Sequence, residues 1–135
     1  KKKFKIFAYC SDDPILCKRL EEMGCEVVMP LIAPIGSGLG IRNEHNLQII
    51  REICSGLIFV DAGIGAPSDA CKIMELGFDG VLLNSSVARS LDPIGMADAM
   101  RMAVISGRKS FLSGEIEKTK RAVKSTPFKG KISNF

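Results

Sequence analysis

The sequence predicts an α/β protein built from four successive strand–helix units, on three observations. Short apolar runs rich in β-branched residues alternate with stretches in which apolar residues recur at helical spacing. The apolar runs show no polar alternation, which predicts strands buried on both faces, as in a parallel sheet covered by helices. The segments 22–28 and 75–81 also share one layout, in which a helix end, a glycine, two linking residues and a strand follow one another.

The first unit begins with a strand predicted over Lys5–Tyr9. A helix follows, which Asp13 caps, Pro14 opens and Gly24 ends. The spacing of its apolar residues predicts an inward face made of Ile15, Leu16, Leu20 and Met23.

The second unit has a strand over Val27–Leu31 and a glycine-rich loop over Ala33–Asn43. A helix is predicted over Glu44–Cys54, with four apolar residues at helical spacing: Leu47, Ile50, Ile53 and Cys54. The single histidine, His45, lies in a polar stretch at the start of this helix, where a surface position is expected.

The third unit has a strand over Leu57–Asp61, a turn over Gly63–Gly65 and a helix over Pro67–Leu76. The fourth has a strand over Gly80–Leu83, followed by Asn84, Ser85 and Ser86. A short helix over Val87–Ser90 then precedes a long one from Pro93 to Ser106, which Gly107 is predicted to stop, with a core stripe of Met96, Met100, Ala103 and Val104.

Charge divides the chain into two parts. Residues 108–135 hold eight Lys or Arg and two Glu, whereas residues 1–107 hold eleven basic and thirteen acidic residues. We therefore predict a folded part over residues 1–107 and a basic C-terminal tail over residues 108–135. Trp is absent and there is one Tyr, so the aromatic residues that accompany basic patches in nucleic-acid modules are lacking, and no nucleic-acid partner is expected.

Composition excludes several other classes. Apolar residues make up 46% of the chain, but no apolar run approaches the roughly 18 residues that a membrane span needs. Near the start of the chain, Asp12, Asp13 and Pro14 interrupt the apolar stretch too early for a secretory signal. The five cysteines are odd in number and match no zinc spacing. We expect reduced thiols, no metal and no membrane partner, in the cytoplasm, with a plastid as the alternative.

Ligands of parallel α/β folds bind at the carboxyl ends of the strands, so three loops are candidates. The loop that contains Gly36 has three glycines in five positions. In the next loop Asp61 ends a strand, and glycines precede a helix whose first N–H groups suit an anion. The third, at Asn84–Ser86, opens a short helix. Together they predict a site that holds a small phosphorylated molecule through backbone amides, without Lys or Arg.

Catalytic side chains are few at these loops. Asp61 is the one carboxylate at the end of a predicted strand, and an acid–base role is the one that suits it. Lys18 and Lys72 lie on helices, away from the carboxyl ends of the strands, so neither is expected to form a Schiff base. The residues alone leave the assembly open: four units are half of an eight-unit barrel, which a second copy or a missing half would complete, or a small doubly wound sheet.

Five blocks in order along the chain resemble the thiazole synthases of thiamine biosynthesis. The resemblance runs from about Lys5 to about Gly114, and the tail from Glu115 onward departs from it. The blocks are Tyr9–Pro14, Val28–Leu31, Ala33–Ile41, Val60–Ala70 and Met74–Asn84.

The resemblance implies a (β/α)8 TIM barrel of which this chain supplies the last four units. It also implies formation of the thiazole phosphate moiety of thiamine from 1-deoxy-D-xylulose 5-phosphate, dehydroglycine and sulfur from the thiocarboxylate of a ubiquitin-like carrier protein. No cofactor is implied, and a homo-oligomer is expected. The family's sugar-phosphate contacts fall on Gly36, Ala62, Gly63, Asn84 and Ser85, the last of which is often Thr in the family.

The resemblance places Asp61 on a family carboxylate that takes part in proton transfer. The family's Schiff-base lysine lies in the half of the barrel that this chain does not contain, so the chain alone is expected to be inactive. Two alternatives are a non-catalytic half-barrel that serves as a binding or scaffold module, and another phosphate-binding barrel enzyme. The edge strands of a half-barrel are also expected to make the isolated chain aggregate or pair with itself.

Overall fold

A computed structural model describes residues 4–124, which form a four-stranded parallel sheet and five helices. The strands are β1 Phe7–Cys10, β2 Val27–Pro30, β3 Leu57–Asp61 and β4 Gly80–Leu82. The helices are α1 Pro14–Glu22, α2 Glu44–Ile53, α3 Pro67–Glu75, α4 Ser85–Ala88 and α5 Pro93–Ser113. The predicted order of strand–helix units is confirmed, with boundaries shifted by at most two residues except at α5.

The strands lie in sequence order, β1-β2-β3-β4, and every neighbouring pair is parallel. The register aligns Phe7 with Val27, Val27 with Leu57, and Phe59 with Gly80. Right-handed connections between consecutive parallel neighbours place all the connecting helices on one face of the sheet. Within residues 4–124, β1 and β4 form the two edges of the sheet, as predicted.

The core lies between the sheet and this helix layer. Alternate strand residues that point to the helices are buried with residues of the helices and of the connecting segments. The cluster includes Cys10, Val28, Ile58 and Val60 of the strands, Cys17, Leu47, Ile50, Ala70, Ile73 and Met100 of the helices, and Phe78 of the turn before β4. The predicted stripe of α5 is confirmed, because Met100 is buried and Met96, Ala103 and Val104 pack against the cluster.

The opposite face of the sheet, which we call the inner face, carries Phe7, Tyr9, Leu57, Phe59 and Leu82. Four of these side chains keep 40–52% of their surface exposed, namely Phe7, Tyr9, Leu57 and Leu82. The rings of Phe7 and Phe59 meet edge to face, 6.5 Å apart. The predicted burial of both faces of the strands is therefore wrong for the inner face within the described residues. Strands in sequence order send every connecting helix to the other side of the sheet.

The predicted inward face of α1 is also wrong. Ile15 and Met23 are 60% and 81% exposed, whereas Cys17 is fully buried and Leu20 packs against the core. The helix is rotated so that the thiol of Cys17 lies 3.7 Å from that of Cys10 on β1. A short helix with apolar residues on two sides is oriented by the shape of the core, which the spacing of those residues does not reveal.

The last helix does not stop at Gly107 as predicted but continues to Ser113. Gly107 is buried where α5 crosses α3, and a Cβ atom there would lie 2.8 Å from the Cβ of Met74. The glycine therefore permits close packing of two helices, and the helix ends at Gly114, which has a φ of 75°. Residues 115–124 are exposed and outside the helices; the predicted tail residues 125–135 lie outside the described part.

Within residues 4–124, no helix combines the length and the apolar character that crossing a membrane requires.

Candidate functional site

Three loops at the carboxyl ends of β2, β3 and β4 meet around a pocket of about 110 Å³. Five of the six residues predicted for the site line this pocket: Gly36, Asp61, Ala62, Gly63 and Ser85. The loops converge because the strands are adjacent and parallel, so that their carboxyl ends lie along one edge of the sheet.

Asn84, the sixth predicted residue, does not line the pocket. It precedes α4, where its carbonyl oxygen accepts hydrogen bonds from the backbone N–H groups of Val87 and Ala88. Its side chain is exposed and makes no capping hydrogen bond. Asn84 therefore fixes the start of α4 through its backbone, one residue before the pocket-lining Ser85.

Gly63 is held against the preceding loop by close backbone packing. Its φ is 90°, and a Cβ atom there would lie 2.8 Å from the Cα of Ala33. Ala62, with a φ of 80°, is the one non-glycine residue of the described chain in the left-handed region. The carbonyl group of Ala62 accepts a hydrogen bond from the N–H of Ile32 at 3.1 Å, and that of Gly63 accepts one from the N–H of Gly40 at 2.9 Å. Two loops are thereby locked together as a single wall of the pocket.

The start of α3 is already occupied by a carboxylate. Asp69 accepts hydrogen bonds from the backbone N–H groups of Gly65 and Ala66 at 3.0 and 2.9 Å. The expectation that the N–H groups at this helix end are open to an anion is therefore wrong for these two groups. Asp69 stabilises the loop instead, and an anion in the pocket has to use the Gly36, Ala62–Gly63 and Ser85 segments.

Asp61 ends β3 with its side chain on the inner face, at the rim of the pocket. Burial raises the pKa of the Asp61 carboxyl above its usual range, although hydrogen bonding with the backbone of Ala62 acts in the opposite direction. The pKa of Tyr9, on the same face, is also raised, by burial and by the negative charge of Asp61. A carboxyl group that holds its proton more tightly than usual is suited to exchanging protons with a bound substrate.

Arg89 is a residue at this site that the sequence interpretation missed. Its guanidinium donates a hydrogen bond to the carbonyl oxygen of Gly36 at 3.4 Å. The Arg89 guanidinium and the Ser85 hydroxyl both lie 3.7 Å from the point where a Cβ of Gly36 would be. The sequence holds one sign of this, because Ser85 and Arg89 are four residues apart and side chains at this separation share one side of a helical turn.

No group of three or more His, Cys, Asp or Glu side chains that could hold a metal ion occurs in the part of the chain that the structure describes.

Comparison with known proteins gives a consistent assignment. The family model described as "Thiazole biosynthesis protein ThiG" matches residues 1–127. The chain is 54% identical over 133 residues to a thiazole synthase of Sorangium cellulosum, and 54% identical over 132 residues to one of Geobacter sulfurreducens. Each match covers 98% of this chain, so the similarity continues through most of the tail, which the sequence interpretation had left outside the resemblance.

A solved structure has the same fold. The crystal structure of the Amycolatopsis orientalis BexX/CysO complex contains a chain that matches with a TM-score of 0.78 and 31% identity. The match covers 85% of this chain and 46% of that one. Together with the four parallel strands in sequence order, this confirms the predicted fold class, a part of a (β/α)8 TIM barrel.

The chain spans about half of the relatives that it matches, 51% of the Sorangium and Geobacter proteins. The aligned blocks include all three loops around the pocket, because the matched range runs from residue 1 to residue 127. The chain belongs to the ThiG family of thiazole synthases and corresponds to the C-terminal part of its longer members.

Proposed function

We propose that this chain is the sugar-phosphate-binding half of a thiazole synthase. In this proposal, the complete enzyme forms the thiazole phosphate of thiamine from 1-deoxy-D-xylulose 5-phosphate, dehydroglycine and sulfur from a carrier-protein thiocarboxylate. The observation that supports it most is the pocket of about 110 Å³ at the carboxyl ends of the strands, which brings together Gly36, Ala62, Gly63 and Ser85, within a chain that is 54% identical to curated thiazole synthases.

The proposed phosphate position lies between the Gly36 loop and the start of α4. Gly36 leaves room for an oxyanion next to its backbone, and the hydroxyl of Ser85 faces the same space. The first N–H groups of a helix lack acceptors within the helix, so those of Ser85 and Ser86 are available as donors. We add Arg89 to the proposed phosphate contacts, because a guanidinium and a phosphate form strong charge-assisted hydrogen bonds.

Asp61 is the proposed acid–base group. It lies at the rim of the pocket, on the inner face where the lumen of a complete barrel would be. Since burial raises its pKa, we infer that it accepts a proton from a bound ketose intermediate and returns it to a later one.

The proposed Schiff-base lysine is supplied by the other half of the barrel. Lys18 and Lys72 belong to the helix layer, where they form ion pairs with Glu21 and Glu44 at 2.6 and 3.2 Å. Lys5 pairs with Glu26 at the amino end of the sheet, at 2.8 Å. These three amines are therefore poorly situated to react with a ketose held at the carboxyl ends of the strands.

The proposed partners follow the same reasoning. The Amycolatopsis relative was crystallised in a complex with a second protein, CysO, which supports a protein partner for this chain, and we infer that it is the sulfur carrier. The organisms of the matched relatives are bacteria, which favours the cytoplasm over a plastid as the site of action.

The test is titration of the purified chain with 1-deoxy-D-xylulose 5-phosphate by calorimetry, followed by borohydride reduction and intact-mass measurement. We expect binding without a covalent adduct. Arg89→Gln should weaken binding about tenfold, the effect of losing roughly 1.4 kcal/mol of a charge-assisted contact. Arg101→Gln is the matched control, because Arg101 is paired with Asp98 on α5. This variant should bind 1-deoxy-D-xylulose 5-phosphate as tightly as the wild type does.

A borohydride-stable adduct on this chain would show that one of its own lysines forms the imine and would refute the proposed division of labour. Activity is tested by adding the N-terminal half of the Geobacter relative, with formation of thiazole phosphate expected only in the mixture. If the mixture forms no thiazole phosphate but this chain still binds the carrier protein, the result would favour a scaffold role.

A further inference from the structure

Two buried thiols meet on the helix side of the sheet, within a single strand–helix unit. The Sγ atom of Cys10, the last residue of β1, lies 3.7 Å from that of Cys17 on α1. Cys17 is fully buried and Cys10 is 7% exposed, and both belong to the core cluster. Because β1 and α1 follow each other in this chain and supply both sulfur atoms, the contact is complete without any other part of a barrel.

This pair differs from the other cysteines of residues 4–124, none of which has a second thiol in contact. The Sγ atom of Cys71 instead lies 3.7 Å from the carboxylate of Glu75, and burial, together with this negative charge, raises the pKa of the Cys71 thiol. Burial also raises the pKa of the Cys54 thiol at the end of α2. Both of these thiols are thereby held in the protonated form, which is the less reactive one.

The surroundings of Cys10 and Cys17 give the two thiols different roles. The pKa of the Cys10 thiol is lowered, because hydrogen bonding with Cys17, aided by the backbone of Met29, outweighs the effect of burial. The pKa of the Cys17 thiol is raised by the same hydrogen bond and by burial. The Sγ atom of Cys17 also lies 3.8 Å from the carbonyl oxygen of Ser11, an acceptor that favours the protonated thiol. Since the thiolate is the form of cysteine that attacks an oxidant, Cys10 reacts first.

The contact is close enough for a covalent bond after a small movement. A disulfide brings two sulfur atoms to roughly 2.05 Å, so those of Cys10 and Cys17 have to approach by roughly 1.7 Å, which side-chain rotation supplies. Hydrogen peroxide is close to water in size, and Cys10 lies where the chain leaves the sheet at the carboxyl end of β1. This oxidant therefore needs no wide channel to reach the Cys10 sulfur.

We propose that Cys10 and Cys17 form a reversible oxidation site, at which a peroxide converts the two thiols to a disulfide. The Cys10 thiolate attacks one oxygen atom of the peroxide, the O–O bond breaks, and the products are a Cys10 sulfenic acid and a hydroxide ion. The sulfenic acid no longer carries the negative charge that helps to hold the proton on Cys17. The sulfur of Cys17 then attacks that of Cys10, and its proton leaves with the sulfenic hydroxyl group as water.

The reaction consumes one molecule of peroxide for each disulfide. The two sulfur atoms give up two electrons and two protons, and the peroxide takes them up to become two molecules of water. A dithiol such as dithiothreitol returns both cysteines to thiols by thiol–disulfide exchange and is itself oxidised. Because the pair packs in the core between the sheet and the helices, this chemistry is independent of the ligand that the pocket takes and therefore of the proposed function.

The test is peptide mapping of the 135-residue chain after treatment with hydrogen peroxide, denaturation and alkylation of the remaining thiols. Trypsin cleaves after Lys and Arg, so residues 6–18 form one peptide that contains both Cys10 and Cys17. We expect this peptide to lose both alkylation sites and two hydrogen atoms, and to regain both sites if dithiothreitol is added before alkylation. The peptide of residues 52–72 is the internal control, since it also contains two cysteines, Cys54 and Cys71, and it should remain fully alkylated.

Two variants sharpen the test. Cys17→Ala removes the second thiol, so Cys10 should proceed to a sulfinic acid, which gains two oxygen atoms and which dithiothreitol does not reverse. Cys25→Ala is the matched control, because Cys25 is a partly exposed free cysteine outside the pair, and this variant should still form the disulfide.

The main result comes from the unmodified chain and therefore does not depend on the folding of a variant. A peptide of residues 6–18 that remains doubly alkylated would overturn the proposal, and so would a disulfide that links Cys10 to Cys54 and joins two tryptic peptides. Oxidation of Cys54 or Cys71 before the pair reacts would also overturn it, because the contact between Cys10 and Cys17 would then confer no special reactivity.

Discussion

The two ends of the sheet are held together by different interactions. At the amino end, charged side chains bind backbone groups. Glu21 accepts hydrogen bonds from the N–H groups of Ser55 and Gly56. Asp79 accepts a hydrogen bond from the N–H of Ile58 at 2.9 Å and forms an ion pair with Arg51 at 3.0 Å. At the carboxyl end, around the pocket, loops are held mainly by the backbone packing of Gly63 against Ala33 and Gly65 against Gly38.

This difference separates stability from ligand binding. At the amino end, the charged groups of Glu21, Asp79 and Arg51 are engaged in structural contacts. At the carboxyl end, glycine contacts hold the loops together with one side chain, that of Asp69, which leaves Asp61, Ser85 and Arg89 around an open pocket. The arrangement agrees with the general rule that parallel α/β folds carry function at the carboxyl ends of their strands.

The largest effect is expected for Gly63→Ala, with Gly24→Ala as the matched control. Both glycines have a φ of 90°, but a Cβ at Gly24 meets nothing within 4 Å, whereas one at Gly63 collides with the backbone of Ala33. A left-handed conformation costs a non-glycine residue about 1–2 kcal/mol, which is the full effect expected at Gly24. The collision should bring the loss at Gly63 to more than about 3 kcal/mol.

Denaturant unfolding of both variants measures this difference, and ligand titration of Gly63→Ala should show that binding is lost as well. Equal destabilisation of the two variants would mean that close backbone packing does not hold the carboxyl-end loops together.

A smaller effect is expected for Glu21→Ala at the amino end. The Glu21 side chain is only 17% exposed and also pairs with Lys18 at 2.6 Å, so its removal leaves the N–H groups of Ser55 and Gly56 without their acceptor. We expect a loss of about 2 kcal/mol in the free energy of unfolding. The exposed neighbour Glu22 is the control, and Glu22→Ala should change stability by less than about 0.5 kcal/mol.

The contribution of Glu21 should depend on pH in a defined direction. Burial would raise the pKa of the Glu21 carboxyl, but hydrogen bonds from Lys18 and from the Gly56 and Ser55 backbone outweigh it and the pKa is lowered. The stabilisation is therefore present above the pKa of the unfolded chain and is lost as pH falls through the lowered value in the folded chain. The stability difference between the wild type and Glu21→Ala should shrink on acidification.

The smallest effect is expected for Asp61→Asn, and its sign is opposite. Burial raises the pKa of Asp61, so the folded chain holds this proton more tightly than the unfolded chain. The contribution of Asp61 to stability is greatest below its unfolded pKa and decreases as pH rises through the raised folded value. Asp61→Asn should therefore be slightly more stable than the wild type at neutral pH, which thermal unfolding measures. The enzyme reconstituted with this variant should lose activity. A less stable variant would indicate that Asp61 is structural.

The order of elements followed from the sequence, because each relevant signal was local. Pro14, Pro67 and Pro93 open α1, α3 and α5. Asp13, Asn43 and Asp92 cap α1, α2 and α5 with side-chain hydrogen bonds, and continuous apolar runs form the strands. The loops around the pocket were equally predictable, since glycines and a carboxylate directly follow the buried strands. These features depend on the backbone preferences of single residues and on short-range spacing.

Only the tertiary structure decided which surfaces meet. Gly107 has the local character of a helix stop, yet it permits α5 to cross α3 at close range, and Cys17 rather than Ile15 faces the core. Arg89 reaches Gly36 across 53 residues of sequence, and the inner face is open because consecutive parallel strands place every helix on one side. Such contacts join residues distant in sequence, and no local pattern in the chain encodes them.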